Sequence, residues 1–145
     1  MDRLAQNKTH FRIDLRKDIE IPEVKGVYVA AVYEQHPEYK TMDWNAYIIN
    51  DRQEPLEMIL IVSSGSNDKK ITPAMRHSIK VLPAKYFAKI EFLQEKLLQL
   101  ENKFAVTFFA DNKMYERTFT FSNGSIKESA LGEIPVMNLP GILAS

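Results

Sequence analysis

The chain contains no cysteine, which removes disulfides, thiol nucleophiles and cysteine-ligated zinc together and fits a reducing compartment. It also lacks net charge: 19 basic and 19 acidic residues cancel to +0. No overall field therefore draws it to nucleic acid, an anionic membrane or an acidic substrate, and any such partner needs a local patch. Glycine is scarce, with five in 145 residues, and no pair has the spacing of a phosphate-cradling or dinucleotide-binding loop. No apolar run reaches the roughly 18 residues of a membrane-spanning helix. The opening "MDRLAQNKTHFRIDLRKD" spreads its charges and has no apolar signal-peptide core, so the chain reads as cytoplasmic.

What is present is β-forming material. A 45% hydrophobic content in a chain of this length supports one domain with its own core. "VKGVYVAAVYE" is rich in β-branched and aromatic residues and reads as the first strand. In "WNAYIIN", Trp44, Ala46 and Ile48 share one face and Tyr47 and Ile49 the other. "LEMILIVSS" places Leu56, Met58, Leu60 and Val62 opposite Glu57, Ile59 and Ile61, an interior strand whose centre is covered on both faces. "MRHSIKVL" and "KYFAKIEFL" are two more segments of strand length, broken at Pro83.

"KFAVTFFADNKMYERTFTF" is the plainest hairpin, because Asp111 and Asn112 tolerate the left-handed conformation of a tight turn. Phe104, Val106 and Phe108 on one strand, with Tyr115, Phe119 and Phe121 on the other, supply an aromatic core. One short helix is allowed around residues 94–101. Short strands separated by turns, with almost no helix, give an antiparallel immunoglobulin-like β-sandwich. Residues 1–18 read as an N-terminal arm and 19–125 as the sandwich. Residues 126–145 read as a tail that packs on the domain or on a partner, with Pro135 and Pro140 forbidding one continuous helix.

The stretch "LIVSSGSNDKK" runs from a strand through a small-residue turn into two lysines, which raises the question of a phosphate cradle. The Walker pattern fails, since Gly65 stands alone and Lys69 and Lys70 are not followed by Ser or Thr. The nucleophile-elbow frame is absent as well. A modest anion-binding loop of Ser64, Ser66, Lys69, Lys70 and Arg76 remains, weighed against an ordinary solvated loop.

His10, His36 and His77 are too scattered for a metal motif, and carboxylate pairs such as Glu20 with Glu23 or Asp111 with Glu116 read as polar faces and turns. No catalytic residue, metal or cofactor is expected. Six tyrosines, Arg117 and the loop lysines are the material for an RNA-binding surface, which the charge balance disfavours. Met137, Leu139, Ile142 and Leu143 in the tail are candidate contacts for a protein partner or a second copy. The leading expectation is a non-enzymatic protein-interaction module. An RNA- or tRNA-associated accessory protein and a small-molecule binder or enzyme are the alternatives.

The segments "DIEIPEVKGVYVAAVYE", "AYIINDRQEPLEMILIVSSG" and "FAVTFFADNKMYERTFTF" together resemble a family of short bacterial single-domain proteins that often carry the label phenylalanyl-tRNA synthetase α subunit. The likeness spans about residues 18–121. The glycine-rich G-x-G-x-x-x-R segment of such a synthetase has no counterpart here, so the resemblance transfers no catalytic residue. What it implies is an association with translation.

Overall fold

Alternating β-branched and aromatic residues drive the chain into eight strands, seen in a computed structural model that describes residues 22–145. The expected N-terminal arm lies outside the described residues. The strands are β1 Val27–Gln35, β2 Met42–Asn50, β3 Leu56–Ser66, β4 Met75–Leu82, β5 Tyr86–Phe92, β6 Glu101–Ala110, β7 Lys113–Phe121 and β8 Gly141–Leu143. They form two antiparallel four-stranded sheets, one ordered β5-β2-β1-β8 and the other β4-β3-β6-β7. The two sheets pack face to face as a β-sandwich.

The core lies between them. Val29 and Ile48 from the first sheet meet Ile61, Phe104, Phe108, Phe119 and Phe121 from the second, all buried. Each such side chain contributes about 1.5–3 kcal/mol by leaving water. Phe104 and Phe121 cross edge to face at 5.9 Å, and Phe108 stacks on Tyr115 at 5.0 Å. The β6–β7 turn takes the expected conformation: Asp111 and Asn112 have φ of 52° and 60°, the doubly left-handed geometry of a tight hairpin.

β1 is apolar along both faces because both are covered. Val27, Val29 and Ala31 point into the main core, while Ala30 and Val32 lie under Ile134 and Met137 of the tail. At Val136, φ is 70° and the Met137 amide donates to the Pro135 carbonyl at 2.7 Å, a left-handed three-residue turn. β8 then pairs with β1, and Ser145 exchanges backbone hydrogen bonds with Thr120 of β7. The tail thus runs over the first sheet and crosses to the second.

Two expectations are corrected. β3 lies inside its sheet, but its alternation breaks at Met58, which sits at φ 49° in a bulge where the register against β6 slips. Leu56 points inward before the bulge and Ile59 and Ile61 after it, so Met58 and Leu60 are left 69% and 47% exposed rather than covered. The segment allowed as a helix is only a 3-10 turn, Glu95–Gln99, without a buried residue. No helix among the described residues is long and apolar enough to cross a membrane.

Candidate functional site

Polar residues at inward positions mark the end of the sandwich where the β3–β4 and β5–β6 connections meet. Ser63 follows Ile59 and Ile61 on the inner face of β3, Asn102 is the second residue of β6, and a bulge in β5 at residue 90 carries Glu91 toward the second sheet. The Ser63 hydroxyl donates to Glu91 Oε1 at 2.6 Å, and His77 Nε2 of β4 lies 2.8 Å from the same oxygen. The Glu91 side chain is only 10% exposed. A buried carboxylate is costly to desolvate, and these two partners offset that cost.

Beside this cluster lies a cavity of about 320 Å³ between β3, β5 and their following connections. Leu97, Leu100, Phe104 and Ile71 line much of it, with Ser63, Glu91 and Asn102 as its inner polar groups. Asn102 holds the β5–β6 connection in place, its Nδ2 donating to the carbonyls of Leu97 and Leu100 at 2.7 and 3.1 Å. Gly65 keeps the wall thin, since a Cβ there would lie 3.1 Å from Asn102 Oδ1 and 3.2 Å from Leu100 Cδ1. Glu91 stands between the serine and the histidine, whereas a nucleophilic relay needs the base between hydroxyl and acid.

The loop residues singled out from the sequence divide. The β3–β4 connection is a tight hairpin, closed by Asn67 and Lys70 and by Gly65 and Thr72. The amides of Lys69 and Lys70 both donate to Asn67 Oδ1 at 2.8 Å, so neither N–H is open to an anion. Ser64 and Lys70 border the cavity, while Ser66 pairs with Ile71 and Arg76 stands opposite Val62 on the outer face of the second sheet. Of the tail residues, Met137 is buried on the first sheet and Ile142 packs against the main core, whereas Leu139 and Leu143 are exposed.

Two of the three histidines are described. His36 accepts the amides of Glu38 and Tyr39, and His77 joins Glu91; His10 lies outside the described residues. Among the described residues, no three His, Asp or Glu side chains gather as a metal site. The Ser63, His77 and Glu91 cluster escaped sequence reasoning because its members are 14 residues apart on three strands and form no local motif. The one signal was a serine at an inward strand position.

Another surface is the outer edge of the second sheet. In β4, Met75, Arg76, Ser78, Lys80 and Val81 are exposed, and one side of its backbone has no strand partner among the described residues. Its charged and titratable residues are Arg76, His77 and Lys80, with no carboxylate, and the adjoining loop adds Lys69 and Lys70 beside Asp68. No family model and no curated protein matches the chain.

Proposed function

We propose that the protein is a non-enzymatic, cytoplasmic interaction module that adds an extended acidic segment of a partner protein to strand β4. The observation that carries this reading is β4 itself: an edge open among the described residues, carrying Arg76 and Lys80 without a carboxylate, with Met75 and Val81 exposed along it and Met58 and Leu60 exposed on neighbouring β3. Backbone pairing supplies affinity in this mode, and alternate side chains supply specificity. Arg76 and Lys80 select an acidic segment and disfavour a basic one. The other edges fit less well, since β8 is only three residues long, β7 mixes Lys113 and Arg117 with Glu116, and β5 carries Glu91 beside Lys89.

The strand order supports an immunoglobulin-like form of the sandwich. β1, β2 and β5 correspond to A, B and E, with β3, β6 and β7 as C, F and G and β4 as the added C′ edge. Fold alone assigns no function, so the β4 surface carries the proposal. The absence of cysteine supports a cytoplasmic setting.

A photo-crosslinking residue in place of Lys80, with the same residue in place of Thr118 on β7 as control, tests it in cells of the native host. The expected result is a protein adduct from position 80 alone, mapped to an acidic extended segment and lost on adding Arg76→Glu. Equal crosslinking from both positions overturns the reading. Crosslinks to RNA overturn it in favour of the translation-associated alternative, and crosslinks only to a second copy replace the partner with self-association.

A further inference from the structure

The cavity beside Glu91 shares Met75 and Lys70 with the β4 surface but has its own chemistry. Both hydrogen bonds to Glu91 end on Oε1; Oε2 takes none of those found among the described residues. The carboxylate borders the cavity, whose exposed lining is mostly apolar, and Lys70 and Lys96 also belong to its wall. Glu91 thus presents a nine-tenths buried carboxylate at the border of a largely apolar space. It is complementary to a cation that brings its own apolar body.

From these features we infer that the cavity binds a small apolar primary amine, its ammonium group on Glu91 Oε2 and its hydrocarbon against Leu97, Leu100 and Phe104. The volume of about 320 Å³ lies at the lower end for ligand pockets, so the occupant is of amino-acid size. The mouth opens beside a shallower depression that shares Lys70 and Lys96 and is bordered by Glu95. Two lysines against one glutamate disfavour a second cationic end, which selects monoamines over diamines. Asn102, with its amide donors committed to Leu97 and Leu100, offers only its oxygen to the ligand, and an ammonium group has donors to spare.

The test compares three probes of similar shape against the wild-type protein: 3-methylbutylamine, 3-methyl-1-butanol and 4-methylpentanoate. Binding is read from the backbone amide shifts of Gly65, Thr72 and Leu100. The amine is expected to shift all three amides and to bind at least tenfold more tightly than the alcohol or the carboxylate. Glu91→Gln, checked for folding by circular dichroism, is expected to remove that preference. Equal binding of amine and alcohol overturns the inference by reducing the cavity to an apolar void. Preference for the carboxylate, or unmoved amides with every probe, overturns it outright. The probe comparison needs no variant, so it decides the matter even if Glu91→Gln does not fold. None of its outcomes bears on crosslinking at β4, so the two proposals fail separately.

Discussion

Ser63 on β3 and Glu91 on β5 are joined across the sandwich by a 2.6 Å hydrogen bond, which links one sheet directly to the other. Ser63→Ala leaves Glu91 Oε1 with His77 as its remaining partner and is expected to cost about 1–2 kcal/mol in denaturant unfolding. Combined with Glu91→Gln, the loss is expected to be smaller than the sum of the single losses, because both variants remove the same bond. Strict additivity shows that the two residues are not coupled.

A second tie between the sheets lies at the opposite end. Asn50, fully buried at the end of β2, directs Nδ2 at the carbonyls of Glu54, Leu82 and Pro83, and its Oδ1 accepts the Arg52 amide. Asn50→Ala strands the buried Leu82 carbonyl and is expected to destabilise by about 2–3 kcal/mol. A change below about 0.5 kcal/mol, the range of ordinary surface substitutions, shows that water replaces the amide without loss.

Tyr47 gives the protein an alkaline limit. Its hydroxyl is held well above the usual tyrosine range, first by burial and then by the 2.6 Å hydrogen bond it donates to Glu34. A folded-state pKa raised above the unfolded value contributes stability that is complete below the unfolded pKa of about 10 and lost as pH rises toward the folded one. Unfolding free energy is therefore expected to fall above about pH 10, with a shallower fall in Tyr47→Phe. Tyr33, raised by burial and by Glu128, accounts for part of the residual slope. Identical slopes in both proteins remove Tyr47 from the explanation.

Gly141 allows the tail to lie on β1. A Cβ there would stand 2.6 Å from the Ala31 carbonyl oxygen and 3.0 Å from Ile134 Cγ1, so Gly141→Ala forces the backbone apart. The expected cost is about 1–3 kcal/mol, with faster hydrogen exchange at the Ala144 and Ser145 amides. Gly132→Ala is the matched control, since nothing lies within 4 Å of its added Cβ. Equal effects of the two substitutions refute the close-approach argument.

The hairpin at Asp111 and Asn112 was legible in the sequence because its turn chemistry and flanking alternation are local. The face assignment of β3 was not, since the bulge rests on a methionine at positive φ, a residue type that gives no sign of it. Glu91 was hidden for a different reason. A carboxylate in "KIEF" has the composition of a polar strand face, and only the slip in β5 register aims it inward toward a serine 28 residues earlier. The segment of β1 was legible as a strand but not its burial on both faces, because the outer cover comes from Ile134 and Met137, more than a hundred residues downstream.

The two lateral seams of the sandwich are unlike in kind. On one side, the main chain crosses from β8 to β7 through paired backbone bonds between Ser145 and Thr120; on the other, the Ser63, His77 and Glu91 side chains meet across the gap. The 320 Å³ cavity lies beside the side-chain seam, where Ser63 of β3 and His77 of β4 hold Glu91 of β5.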